Sequence, residues 1–297
     1  MWPASTNSTF RGSPMNTPEP SSGKRIIDLS VPVSPAHWEP EPVKRRVLDH
    51  QAGADKLGQS YLHFQAQGWW QKLLAKWMPS RHRVIDHRDF PDRMGLSLMY
   101  YELTTHTGTH IDAPYHYGWR EGRTDRPATV TDIPLSWCYG SGVLLDFSGD
   151  ATQRIDAGAV EAKLAGIGHR LAEGDIVLIN TGAAARLGAR AYFTDYRAIE
   201  RCAVGWLVER GVRVIGTDAF SFDRPFTQMI DDYKRSGDKD HLWPSHFYGR
   251  DHPYLQIERL GQLDDLPAAT GFQVCCFPIK LENADAAWSR VVAILDD

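Results

Sequence analysis

The sequence predicts one α/β domain built on a mixed β-sheet, and three observations carry that reading. Short apolar runs bounded by glycine or aspartate recur along the chain, among them GVLLDF (142–147), DIVLIN (175–180) and VRVIGTD (212–218). Runs of that length read as buried strands. Helical patterns alternate with them, and no repeat or low-complexity linker beyond the N-terminal stretch divides the 297 residues in two.

Taken in order, MWPASTNSTFRGSPMNTPEPSSGK (1–24) is rich in Ser, Thr and Pro and lacks the apolar core of a secretory leader. It reads as a disordered tail, with the domain at 25–297. RIIDLSVPVS (25–34) reads as a strand ending in a proline-marked turn. A helical stretch is expected from Tyr61 to Met78, stopped by Pro79, and SLMYYELTT (97–105) as a strand after it. Asp156 can cap a helix over AGAVEAKLA. YRAIERCAVGWLVERG (196–211) places Ile199, Ala203, Trp206 and Leu207 on one helical face, closed by Gly211. FQVCCFPIK (272–280) and RVVAILD (290–296) supply two more strands.

Composition excludes several classes. A net charge of −4 with both signs interspersed offers no basic field for nucleic acid. No run approaches the ~20 apolar residues of a membrane span. Cys138, Cys202, Cys275 and Cys276 lack zinc-type spacing and read as buried, reduced thiols of a cytoplasmic protein. GxSxG, GxGxxG and P-loop patterns are all missing, which argues against serine-nucleophile, dinucleotide and NTP chemistry.

The densest chemistry is HTGTHIDAPYH (106–116). Its β-branched Thr105, Thr107, Thr109 and Ile111, with Gly108 and Pro114, disfavour a helix. In an extended chain residues 106, 110, 112 and 116 share a face, but four residues then span ~13 Å. Metal bonds of ~2.0–2.2 Å demand converging donors, so the chain must bend between His106 and His110. Gly108 makes that bend sterically cheap. Imidazole plus carboxylate without thiolate suits a divalent ion such as Zn²⁺ or Mn²⁺ at a hydrolytic site, against the plainer reading of a polar surface loop.

The string resembles the HxGTHxDxPxH motif of the metal-dependent cyclase family, which includes bacterial kynurenine formamidases and isatin hydrolases. Similarity continues through IDLSVPVSP, DIVLINTG, GWLVERGVRVIGTDAFSFD and ERLGQLDDLPAATGFQVCCFPIKLENA, most of the chain from residue 26 onward. The resemblance implies His106, His110 and Asp112 as metal ligands, with Asp112 able to bridge two ions, and His116 as the proton-transferring residue. It also implies a further His and Glu twelve residues apart, a spacing met by His246 and Glu258. On the residues alone His241, His246 and His252 are equivalent loop histidines. The implied fold is a swivelling β/β/α-type domain, the implied assembly a homodimer or homotetramer, and the implied cofactor one or two ions of Zn²⁺ or Mn²⁺.

The activity expected is hydrolysis of an amide or lactam C–N bond in a small cyclic or aromatic molecule, with a metal-activated water as nucleophile. Lactone hydrolysis, a cyclase or dehydratase step, or metal binding without catalysis are the alternatives. Two stretches are longer than in compact kynurenine formamidases. Between Pro35 and Gly95, GWWQKLLAKWM puts Trp70, Leu73, Leu74 and Trp77 on one helical face. That face reads as packing against the body or a second subunit, with a pocket lid or a membrane-surface helix as alternatives. The second stretch, Asp223 to His246, reads as a solvated, charge-rich loop with pocket residues at its ends.

Overall fold

Residues 23–65, 68–70 and 85–296 are described by a computed structural model. The strands are β1 (Lys24–Asp28), β2 (Lys44–Leu48), β3 (Leu98–Glu102), β4 (His110–Asp112), β5 (Tyr139–Asp146), β6 (Arg154–Ile155), β7 (Ile176–Asn180), β8 (Ala198–Ile199), β9 (Val214–Thr217), β10 (Leu255–Glu258), β11 (Phe272–Cys275), β12 (Ala286–Trp288) and β13 (Val292–Asp296). The helices are α1 (His50–Gln65), α2 (Pro114–Tyr117), α3 (Ala157–Ile167), α4 (Arg201–Val208), α5 (Phe226–Ser236) and α6 (Pro244–Tyr248). Nine of the strands form one mixed sheet in the order β1-β13-β11-β5-β7-β9-β10-β4-β12. Its centre, β5-β7-β9-β10, is parallel, and both flanks are antiparallel. The sheet curls until Ser30, just past β1, bridges Leu260, just past β10.

Both faces of β5, β7 and β9 are buried, which is why their sequences read as apolar runs, whereas β10 alternates Leu255 and Ile257 with the buried polar Gln256 and Glu258. Leu144, Ile176, Leu178, Val214, Ile257 and Ile111 enter one core inside the curl. Val143, Leu145, Val177, Ile179 and Ile215 enter a second core beneath Val160 and Leu164 of α3 and Ala203, Val204 and Leu207 of α4. Asp156 caps α3 by accepting from Ala159 N at 2.8 Å. A mixed α/β domain with one large curled sheet is therefore what the chain adopts, as its strand pattern predicts.

Several boundaries differ from the sequence reading. α1 begins at His50, where Asp49 accepts from Ala52 N at 2.8 Å, and not at Tyr61. The run AGADKLG looks helix-poor, yet Gly53 allows the helix backbone to approach Leu96, whose carbonyl a Cβ there would strike. Leu73, Leu74, Trp77 and the Pro79 stop lie outside the described residues, as does the tail up to residue 22; Trp69 and Trp70 are described and exposed. α4 begins only at Arg201, because Ala198 and Ile199 are extended: they pair with β6, and Ile199 N donates to Phe222 O. The 223–246 stretch is not mainly loop. α5 is anchored by buried Met229, held by the Arg224–Asp232 ion pair and closed by Gly237 N donating to Tyr233 O. Cys138 and Cys276 are buried, but Cys202 is exposed and Cys275 only half-buried. No described helix is long and apolar enough to cross a membrane.

Candidate metal centre

The site grows from the pairing of β4 with β10. Antiparallel register sets Glu258 opposite His110 and Gln256 opposite Asp112. Because side chains alternate along a strand, Ile111 and Ile257 turn into the core while His110, Asp112 and Glu258 share the other face. His106 precedes the strand in a turn where Gly108 has φ +74°, the bend the spacing requires. Thr109 locks this turn: its hydroxyl donates to Arg259 O at 2.6 Å and accepts from Val31 N at 2.8 Å. Pro114 opens α2 at its first residue, whose fixed φ suits a helix start, and the single turn carries His116 back toward the cluster. His246 enters from α6.

Thus His106, His110, Asp112, His246 and Glu258 do converge, although three elements and a turn carry them. His106 Nδ1 lies 3.0 Å and His110 Nε2 3.3 Å from Asp112 Oδ1. His246 Nε2 is 3.9 Å from Asp112 Oδ2 and 3.6 Å from Glu258 Oε1; His110 Nε2 is 3.7 Å from Glu258 Oε2. The His116 ring lies tilted 4.2 Å from that of His106 and edge-on 5.5 Å from that of His246. His106, His110 and Asp112 offer donor atoms within 4.8 Å of one another, and so do Asp112, His116 and His246. Of the other candidate histidines, His252 stacks on Tyr248 and His241 ends a 3₁₀ turn.

The outer nitrogens fix the tautomers. His110 Nδ1 donates to Gly108 O at 2.8 Å, His246 Nδ1 to Asp223 at 2.6 Å and His106 Nε2 to Asp285 at 3.0 Å. In each case the inner nitrogen is left to face the cluster, as a metal-ligating imidazole requires. Asp223 is itself gripped by Ser245 N and His246 N. Neither Asp223 nor Asp285 was singled out from the sequence, and neither was Arg259. That buried arginine, in a left-handed turn at φ +64°, pairs with Glu39 and donates to His106 O at 3.2 Å, tying the His106 turn to the N-terminal loop.

Charge follows from this packing. Burial disfavours the charged form of His106, but Asp112 and Asp285 outweigh it and raise the imidazole to about 10. Burial lowers His110. It pushes Asp112 up, yet His116, His110 and His106 together hold this carboxyl well below its usual range. Burial and the Asp112 charge raise Glu258 well above its own. Asp285 is held low by hydrogen bonds from His106 and His116. Without a metal, then, His106 carries a proton at neutral pH.

A divalent ion held by His106 must displace that proton, so its affinity should rise with pH. Between pH 6 and 8 the expected gain from this one proton is about tenfold per unit. Competition with a chromophoric chelator measures it, and a pH-independent affinity would place the ion elsewhere. Asp223→Asn, which keeps shape but loses the charge behind His246, should weaken metal binding about 10- to 100-fold in the same titration.

Comparison with known proteins gives the site its context. Over 190 residues the chain is 28% identical to a kynurenine formamidase of Maricaulis maris (strain MCS10), covering 64% of this chain and 77% of that one. An isatin hydrolase bound to the product analogue thioisatinate shares the fold with a TM-score of 0.66, at 17% identity over 93% of this chain and 94% of that one. Isatin hydrolase A from Ralstonia solanacearum gives a TM-score of 0.64 at 22% identity over 92% of each. At such identities these structural matches speak for the fold. The sequence profile described as "Putative cyclase" matches residues 27–224, well over half the chain and the whole of the His106–His116 motif, and by that match the protein belongs to the cyclase family.

Proposed function

We propose that this protein is a metal-dependent hydrolase that opens an amide or lactam C–N bond of a small aromatic molecule. One observation carries the metal: both carboxylate oxygens of Asp112 are buried without a hydrogen-bond partner, ringed by imidazole nitrogens. A buried carboxylate needs a positive partner: the protonated His106 serves without metal, whereas a divalent ion would satisfy both oxygens and let the imidazoles turn their lone pairs inward. His106, His110 and Asp112 would hold one ion, and His246 and Glu258 complete that site or, with Asp112 bridging, a second. The donor set serves Zn²⁺ and Mn²⁺ alike. Such an ion supplies Lewis acidity: it polarises the scissile carbonyl and lowers the pKa of a water toward ~7.

The chain's own residues do the rest. His116 is a third exposed, beside the cluster and within 3.6 Å of Asp285. It can take the proton lost as water adds to the carbonyl carbon, then give it to the departing nitrogen as the C–N bond breaks. The Maricaulis relative, named for formamide hydrolysis, and the isatin hydrolases of like fold support an aromatic amide or lactam as substrate. The same reading includes a cytoplasmic setting, which the free thiols fit, and self-association, for which the exposed Leu96, Leu98, Met99 and Tyr101 offer an apolar surface. Elemental analysis of wild type and the His106→Ala/His110→Ala double variant tests the site, and turnover of isatin, N-formylkynurenine and simple lactones tests the chemistry. About one equivalent of Zn or Mn or more, lost in the double variant, with lactam or formamide turnover, is the expected result. Metal-free wild type after reconstitution would end the hydrolase reading.

A further inference from the structure

The strand-and-loop segment that ends at Ile199 runs against the centre. Ile199 N donates to Phe222 O, Phe222 N donates to Glu258 Oε1 at 3.2 Å, and Ser245, next to His246, donates its hydroxyl to Ile199 O at 2.6 Å. Three residues earlier stands Tyr196. It is 5% exposed, and its hydroxyl, shut off from solvent, has no hydrogen-bond partner among the described residues. A buried phenol left so is costly, and buried Tyr hydroxyls normally find a partner. The groups that do bond the surrounding backbone lie on its neighbours: Tyr192 donates to Asp218 O and Arg197 to Thr181 O. Neither donor serves Tyr196.

The Tyr196 ring continues into a row of aromatic side chains. Tyr196 and Phe220 have ring centroids 6.4 Å apart, Phe220 and Phe226 5.7 Å, and Phe226 and Trp243 5.4 Å. Phe193 closes the other side of Phe220 at 4.7 Å. Phe226 is 45% exposed, so the row leads from the surface to Tyr196, and Trp243 is the residue before the α6 helix that carries His246. Burial raises the phenol's pKa, and the carboxylates of Glu258 and Asp223 raise it further, so it stays a neutral donor beside the centre.

We propose that Tyr196 is a substrate-contacting residue. Its hydroxyl donates to an acceptor oxygen of the substrate on the Glu258 side of the centre, while the Phe220–Phe226–Trp243 row takes a flat apolar ring. This rests on the hydrolase reading above and narrows it: the preferred substrate is an aryl carbonyl compound that carries an acceptor besides the scissile carbonyl, as a cyclic dicarbonyl does. A lone aliphatic lactone would leave the phenol unpaired and be turned over poorly.

The test compares metal-loaded wild type with Tyr196→Phe, which removes only the oxygen. Metal content should match, and the melting temperature without ligand should not fall, since no bond within the protein is lost. Affinity for thioisatinate, used as the probe, should drop about tenfold, and kcat/KM on whichever panel compound the wild type hydrolyses should drop about 10- to 100-fold. A melting temperature several degrees lower would show a structural partner for the hydroxyl and overturn the assignment. So would unchanged probe affinity and unchanged kcat/KM. A wild type that hydrolyses nothing in the panel would instead sink the hydrolase reading on which the assignment stands, a result that cannot be confused with full turnover in the variant.

Discussion

Asp112→Asn is expected to leave a folded protein that retains no divalent metal and turns over substrate at least about a thousandfold more slowly. The carboxylate is fully buried on β4 and donor nitrogens crowd it, two of them at 3.0 and 3.3 Å. Asparagine fits the same volume but replaces one acceptor oxygen by an N–H₂ group, which points donors at imidazole nitrogens and offers no charge to a cation. Folding should survive because the change removes a buried charge instead of creating one. The His106 imidazole, raised to about 10 largely by Asp112, should titrate lower in the variant, which imidazole proton shifts would record. Elemental analysis and single-substrate kinetics read the main outcome. Wild-type metal content in the variant would take Asp112 out of the site altogether.

How much of this was legible beforehand depends on how local each feature is. β5, β7 and β9 were plain because both faces are buried and each reads as an apolar run, as IVLIN in β7 shows, whereas β10, where Leu255 and Ile257 alternate with Gln256 and Glu258, was not read as a strand. His106, His110, Asp112 and His116 lie within eleven residues, so their types, with Gly108 as the bend, mark the candidate centre directly. His246 and Glu258 were separable from His241 and His252 only through the family's twelve-residue spacing; the physical reason, the Glu258–His110 register between β10 and β4, is a tertiary pairing. Asp285 carried no signal at all in LENADAAW. Its place follows from β12 pairing along β4, with Ala286 opposite Asp112. The α5 helix, in contrast, was readable: Phe226, Met229, Ile230 and Tyr233 fall at helical spacing, but the charges between them suggested a solvated loop. The start of α1 was hidden by Gly53 and Gly58, whose use is close packing against the backbones of Leu96 and Ile85, a reason that only the folded chain supplies.

His116→Ala should separate chemistry from metal binding. The variant is expected to keep its metal, to change KM little and to lose about 10²- to 10⁴-fold in kcat. His110 and His246 are buried and donate outward to a backbone carbonyl and a carboxylate, the arrangement of fixed ligands. His116 sits on a one-turn helix, partly open to solvent, with Asp285 at 3.6 Å as the carboxylate able to orient its ring. That resembles the support a general base needs more than the clamp a ligand needs. Asp285 also keeps its shorter bond to His106, at 3.0 Å, so removing His116 should not loosen the ligand turn. Added imidazole should restore part of the lost rate, because the space left by the side chain opens to solvent. Because His116 also lies within donor distance of Asp112 and His246, the opposite result is equally readable: loss of one metal equivalent together with activity, without rescue by imidazole, would make His116 a ligand and leave the proton transfer to Glu258, whose carboxyl burial and the Asp112 charge push upward.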